Sequence, residues 1–270
     1  MSRKSPKVLV IEGEIGVGKT TLMEIIRTFL KAKHKTLKIC LIHEPVDRWV
    51  EMGVLQKFYE DKQGFAFPFQ ITTFSTRLDC VKDAYAACPD ADLYIQERSI
   101  LTDNLIFMEN QNVTGLVTPL LMRIYRGLWK HWQEILPIHP THFLYLKPTV
   151  EESLKRIATR DRDGEPSGVT EEYQCQLRKR HEAYLEGKYQ DEIEIPEKYR
   201  PAPGKVLVIN SNINFTKPEL PETKDMLEKI EKLLKFKVQS SRSRQLLLTF
   251  SLSFLLPLLA FLFALYFGLF

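Results

Sequence analysis

The stretch GEIGVGKTT, residues 13–21, has the composition of an anion cradle. Gly13, Gly16 and Gly18 carry no Cβ, so successive backbone N–H groups can converge on a phosphate at the positive end of a helix. The spacing Gly13-x4-Gly18-Lys19-Thr20 is that of a phosphate-binding loop. Lys19 would reach the β- and γ-phosphates of a nucleoside triphosphate, and the Thr20 hydroxyl would ligate Mg²⁺. The triphosphate-binding residues expected here are Gly13, Gly16, Gly18, Lys19, Thr20 and Thr21. A glycine-rich turn with an exposed lysine would share the pattern but not its setting. In front, Val8–Ile11 read as a strand; behind, Leu22, Ile25, Ile26, Phe29 and Leu30 recur at helical spacing.

A phosphoryl group in transit needs an oriented acceptor, a metal and compensation of its charge. Glu44 follows an apolar run and could take a proton from an acceptor hydroxyl. Glu97 follows another and could hold Mg²⁺, while the adjacent Arg98 could position Glu44 and the acceptor. Singly, each has a plainer reading as a solvated carboxylate or a structural ion pair. Their shared location at strand ends is what favours chemistry. Further along, Thr149 and Glu152 are spaced as a capping box opening a helix. Arg156 and Arg160 are neighbours on one face of it, with Arg162 just beyond. A basic helix face in water is common; a closing lid that supplies arginines to a transition state also fits.

The elements that must position these groups are five apolar runs: Val8–Ile11, Leu37–His43, Leu93–Gln96, His142–Leu146 and Val206–Ile209. Helical stretches alternate with them, so the expected fold class is α/β, with a five-stranded parallel sheet flanked by helices and ligands beyond the carboxyl ends of the strands. The chain has 270 residues, 44% of them hydrophobic, enough for one sizeable core. A net charge of +4 is too mild for a dedicated nucleic-acid binder, so no nucleic-acid partner is expected. Cys40, Cys80, Cys88 and Cys175 lack C-x-x-C spacing and read as reduced thiols. Only a few residues precede the first run, too few for a signal or transit peptide.

The other end differs. Residues 246–270, LLLTFSLSFLLPLLAFLFALYFGLF, contain no charged side chain. As a helix they would span about 37 Å, enough to cross a bilayer. Lys232, Lys235, Lys237, Arg242 and Arg244 precede them, which puts the main domain on the cytoplasmic side. A buried core helix is the alternative. The expected organisation is a main domain at 1–236 in the cytosol, a basic and polar linker at 237–245, and a transmembrane tail at 246–270 that anchors it to an intracellular membrane.

The motifs GEIGVGKTT, EPVDRW, FPFQ, ERSILTD and RIATRDRDGE stand in the order and spacing of the deoxyribonucleoside kinases, and the chain resembles that family from about Lys7 to Lys235. The resemblance implies a P-loop kinase fold and transfer of the γ-phosphoryl group of ATP to the 5′-hydroxyl of a deoxynucleoside. By it, Glu44 is the general base, Arg98 its support and Glu97 the Mg²⁺ carboxylate. Tyr59 and Glu165 match a pair that binds the sugar 3′-hydroxyl. Gln70 matches a glutamine that hydrogen-bonds the base, and Trp49 and Phe107 match its aromatic walls. Arg156, Arg160 and Arg162 match lid arginines, and Phe215 a residue that stacks on the donor's adenine. A homodimer is also implied, with the helical stretch LLMRIYRGLWKHWQEIL, residues 120–136, a candidate interface; its Trp129 and Trp132 are equally well explained as core.

Within the family, the Arg77–Asp103 pair resembles the deoxycytidine and deoxyguanosine kinase branch. An arginine oriented by a carboxylate can donate to base acceptors and fills the space a thymine methyl needs, which favours cytosine or purine over thymine; a surface salt bridge is the alternative. Four departures stand out, the first being the tail at 246–270, which has no counterpart in the family. Glu14 replaces an asparagine and brings a carboxylate near the phosphates, Gly164-Glu165 replaces a pair of glutamates, and Thr73 narrows the base pocket. Two competing readings remain: a nucleoside monophosphate kinase such as thymidylate kinase, and a membrane-tethered module that holds nucleotide without turnover. The first would need extra cations for the acceptor's phosphate, and the intact set of Lys19, Glu44, Glu97 and Arg98 speaks against the second. A GTPase is disfavoured by the lack of an Asn-Lys-x-Asp motif.

Overall fold

A strand that is apolar on both faces is stable only where both faces are covered. The structure, a computed structural model, describes residues 5–160, 165–212, 215–217 and 219–236. In it Val8–Ile11 form the centre of β1 (Lys7–Glu12), buried on both sides. The other strands are β2 (Ile39–Ile42), β3 (Leu93–Glu97), β4 (His142–Leu146) and β5 (Val206–Ile209), in the order β2-β3-β1-β4-β5. All pairings are parallel, with Ile11 opposite Glu97 and Leu144, and Leu41 opposite Ile95. The carboxyl ends of β2, β3 and β1 are therefore neighbours, so residues far apart in sequence meet there.

The helices are α1 (Lys19–Lys33), α2 (Val46–Glu51), α3 (Val54–Glu60), α4 (Lys62–Ala87), α5 (Ile100–Thr102), α6 (Glu109–Val113), α7 (Pro119–Glu134), α8 (Val150–Arg160), α9 (Glu165–Gly168), α10 (Glu171–His181) and α11 (Pro221–Leu234). Between α5 and α6 the chain takes a π-helical turn, Asp103–Met108, and a second follows α10 at Glu182–Glu186. This is the five-stranded, helix-flanked α/β sheet that the apolar runs predict. Among the described residues, one core cluster gathers residues of β1, β3 and β4 around Tyr94, Phe143, Tyr145 and Tyr184. Another lies among α2, α3, α4 and α7, around Trp49, Phe58, Phe74 and Trp129, and α1 and α11 add buried apolar residues of their own, among them Leu22, Ile26, Leu227 and Ile230.

Three local expectations change. β2 is shorter than Leu37–His43, because the Leu37 N–H closes a turn onto the His34 carbonyl (3.0 Å) and the Lys38 N–H goes to the Asp92 carboxylate (2.9 Å). At the start of α8, Thr149 Oγ1 accepts from the Glu152 N–H (3.2 Å), but Glu152 turns its carboxylate to Arg156 (2.8 Å) and the Thr149 N–H goes to Asn212 Oδ1 (2.8 Å). Only half of the capping box is made. The two tryptophans also part company: Trp129 is core and donates to the Ile100 carbonyl, whereas Trp132 is 39% exposed.

The described residues up to Leu234 belong to one compact unit. The linker expected at 237–245 and the apolar helix expected at 246–270 lie outside the described residues, as does Arg162. Among the described residues no helix is long and apolar enough to cross a membrane.

Candidate active site

Glu44 stands just beyond β2, and its carboxylate is held by two arginines. Arg98 Nη1 donates to both of its oxygens (2.9 and 2.7 Å), and Arg77 Nη2 donates to Oε1 (2.7 Å). Burial opposes the charge on Glu44, but Arg98, Arg77 and Lys19 override it and hold the carboxyl well below the usual carboxylate range. Arg98 reaches this position from the end of β3 with φ +56°, a left-handed conformation that costs a non-glycine residue and is often found at functional sites. Its guanidinium lies 4.9 Å from the Phe107 ring centre, and Nη2 donates to the Gly13 carbonyl (3.4 Å).

Arg77 comes from α4, where Gln70, Thr73 and Arg77 share one face by helical spacing. It is 2% exposed. Nε donates to Asp103 Oδ2 (2.7 Å), Nη2 to Asp103 Oδ1 (3.3 Å) as well as to Glu44, and Nη1 to the Glu97 carbonyl (3.1 Å). Burial opposes its charge, yet Asp103 and Glu44 raise its pKa above the ordinary arginine value. The pair is thus buried, unlike a surface salt bridge. Of the five guanidinium N–H groups four are engaged, which leaves one to offer a ligand.

The phosphate loop follows β1. Gly13, Gly16 and Gly18 have φ of +141°, +80° and +93°. A Cβ at Gly16 would lie 2.6 Å from the Ser153 carbonyl oxygen of α8, and one at Gly18 2.6 Å from the Phe215 ring, so the loop is packed from outside as well as bent. Lys19 Nζ donates to the Gly13 and Glu14 carbonyls (3.2 and 2.8 Å), and Thr20 Oγ1 to Glu97 Oε2 (2.8 Å). Arg156 donates to the Val17 and Ser211 carbonyls (both 2.9 Å), with its guanidinium 5.8 Å from the Phe215 ring centre. Burial and the nearby Arg98 lower the pKa of Lys19 to about 7, against Glu97, Glu44 and Glu12.

A cavity of about 280 Å³ opens between this loop and α4. Gly16, Lys19 and Thr20 line its phosphate end together with Glu44, Glu97 and Arg98. Gln70, Arg77 and Asp103 line the other end, between Trp49 and Phe107. Tyr59, Arg160 and Glu165 complete the wall. Arg160 Nη2 bonds Glu165 Oε2 (2.5 Å). Burial, then the nearby Glu165, push the Tyr59 phenol far above its ordinary pKa, so it remains a donor. Gly168 of α9 abuts the Tyr59 ring with no room for a Cβ. Gly13, Gly18, Thr21, Arg156 and Phe215 lie outside this cavity's lining; the last two face the loop from the α8 side.

Sequence reasoning missed several contributors. Gln111 Nε2 donates to Gln70 Oε1 (3.4 Å) while Gln70 Nε2 donates to the Asp103 carbonyl (3.1 Å), which orients the amide. Thr76 accepts from the Trp49 indole N–H (2.8 Å), and Phe69 packs edge-on to Trp49 at 5.8 Å. Tyr173 joins the cavity wall from α10. Gln111 and Tyr173 come from elements that no motif marks, so their partners became visible only in three dimensions.

This constellation is a phosphotransferase site: a phosphate loop with a carboxylate ringed by arginines beside a nucleoside-sized cavity. The family model for deoxynucleoside kinases matches residues 9–235, and the chain belongs to that family as an ATP-dependent deoxynucleoside kinase. It is 28% identical over 209 residues to a probable deoxycytidine kinase of fowlpox virus, covering 77% of this chain and 80% of the relative. A thymidine kinase of Ictalurid herpesvirus 1 is 29% identical over 181 residues (66% and 74% covered). A deoxyadenosine kinase of Lactobacillus acidophilus is 24% identical over 236 residues (85% and 97% covered).

A lowered Lys19 pKa has a measurable sign. A triphosphate favours the ammonium form, so binding draws a proton onto Lys19 whenever the free protein has lost it. Calorimetry of MgATP binding in buffers of different ionisation enthalpy should show uptake of close to one proton at about pH 8.5 and close to none at about pH 6. Uptake near zero at both would show that Lys19 keeps an ordinary pKa.

Proposed function

We propose that the chain transfers the γ-phosphoryl group of ATP to the 5′-hydroxyl of a deoxynucleoside, with deoxycytidine or a purine deoxynucleoside preferred over thymidine. The observation that carries this reading is Glu44, an ionised carboxylate fixed between the phosphate loop and the cavity. It suits an uncharged hydroxyl. A monophosphate acceptor would need free cations, whereas Arg77 and Arg98 are already committed to Glu44 and Asp103.

In this reading Glu44 accepts a hydrogen bond from the 5′-hydroxyl and aims it in line with the γ-phosphorus. Held so far below the usual range, the carboxylate is a weak base, so its proton arrives late, as the new O–P bond forms; with a loose transition state, orientation is the greater contribution. Lys19 and the loop N–H groups bind the donor phosphates, and Arg160 and Arg162 supply further positive charge to them. Tyr59 and Glu165 hold the sugar hydroxyl. The Gln70 amide faces the base edge between Trp49 and Phe107, and Arg77 adds one N–H there. The hydroxyl of Thr20 and the carboxylate of Glu97 form an all-oxygen donor pair 2.8 Å apart that suits Mg²⁺, which usually takes only one or two protein oxygens beside substrate phosphates. Bound there, Mg²⁺ would neutralise charge on the β- and γ-oxygens.

Glu44→Gln should keep deoxynucleoside binding, read by calorimetry, while kcat falls by about 10²–10⁴. Unchanged turnover would remove Glu44 from the mechanism.

The reading includes a homodimer. Leu120, Ile124, Leu128 and Trp132, four residues apart along α7, leave one stripe exposed, each between 39% and 58%. A second copy of this stripe is a self-complementary cover. Sedimentation should give twice the chain mass for the wild type and the monomer mass for Leu128→Lys; the same mass for both would place the interface elsewhere.

A further inference from the structure

Glu14, where the family resemblance implies asparagine, does not direct its carboxylate at the phosphates. It is fully buried and turned to α10 and β4: Arg178 Nε donates to Oε1 (2.7 Å), and the Tyr145 hydroxyl donates to the same oxygen (3.2 Å). Arg178 Nη2 also donates to the Pro148 carbonyl, in the turn that leads into α8. One helical turn earlier, Gln174 closes a two-way bond with the next loop residue. The Ile15 N–H donates to Oε1 (3.2 Å), and Nε2 donates to the Ile15 carbonyl (2.7 Å) and to Ser153 Oγ of α8 (3.1 Å).

Two side chains four residues apart on α10 thus grip consecutive residues of the phosphate loop, and both also reach the α8 side of the site. The backbone carbonyl of Glu14 is meanwhile the acceptor for Lys19 Nζ at 2.8 Å. A bare carboxylate here would repel a triphosphate; Arg178 cancels it at hydrogen-bond distance and turns it into an attachment point.

We propose that Glu14, Arg178 and Gln174 are positioning residues of the kinase: a clamp from α10 that sets the phosphate loop for the donor triphosphate and joins it to α8, the helix that carries Arg156 and Arg160. The clamp acts on ATP and not on the deoxynucleoside, since its hydrogen bonds go to the phosphate loop, to Tyr145 of β4 and to the α8 side, and not to Gln70, Arg77 or Asp103 at the other end of the cavity. It rests on the reading that ATP occupies the loop.

The test uses the full chain with Glu14→Gln/Arg178→Met, which removes both charges together, whereas Arg178→Met alone would leave the buried Glu14 carboxylate without its cation. Kd by calorimetry and KM by initial rates are measured for MgATP and for a deoxynucleoside. The double variant should weaken ATP binding by about tenfold in both measures, with the deoxynucleoside constants within about twofold of wild type. A purely structural ion pair would not separate the two substrates. ATP constants within about twofold of wild type, or a parallel loss for both substrates, would overturn the clamp. Wild-type turnover reports on the kinase assignment separately from this comparison, and the calorimetric constants decide the clamp whatever that turnover is.

Discussion

The rest of the site depends on Arg77 being shared between two carboxylates inside the protein. Glu44, Asp103, Arg77 and Arg98 are all nearly inaccessible to solvent, two of each sign, and each carboxylate takes at least two guanidinium hydrogen bonds. A buried charge is tolerated only when it is paired and hydrogen-bonded, and removing one partner of such a pair typically costs about 3–5 kcal/mol. The four groups come from the end of β2, the end of β3, the middle of α4 and a π-helical turn. Their mutual neutralisation therefore fixes where those elements stand relative to the cavity. It also fixes what the cavity can accept: both arginines are occupied, and what remains for a ligand is an ionised carboxylate and a few directed donors.

Backbone geometry is adapted to the same end. Arg98 takes a positive φ so that its guanidinium turns back over Phe107 toward Glu44. The π-helical stretch Asp103–Met108 presents both Asp103 and Phe107 to the cavity. Single π-turns inside helices are frequent at functional sites, where they re-aim side chains at some cost in helix geometry.

Much of this was legible in the sequence, and the limits are physical. The phosphate loop announces itself because glycines, lysine and threonine are needed at fixed spacing between a strand and a helix, and buried parallel strands leave continuous apolar runs. Glu44, Glu97 and Arg98 could be picked out because parallel strands deliver their ends to one edge. Orientation was not legible. Nothing in the string GEIGV says that Glu14 turns away from the phosphates, because its partner Arg178 lies 164 residues on, in a stretch, LRKRH, that reads as an ordinary basic helix. Likewise Glu152 has the right spacing for a capping box, but the nearby Arg156 competes for its carboxylate and wins by charge.

The account's central claim is that the acceptor is an uncharged deoxynucleoside hydroxyl facing Glu44. Initial rates of ATP-dependent phosphorylation, with deoxycytidine, deoxyadenosine, deoxyguanosine, thymidine and their 5′-monophosphates as acceptors, test it most directly. The account predicts turnover of the deoxynucleosides, with thymidine the poorest by kcat/KM, and none of the monophosphates. Turnover of the monophosphates with none of the deoxynucleosides would contradict it.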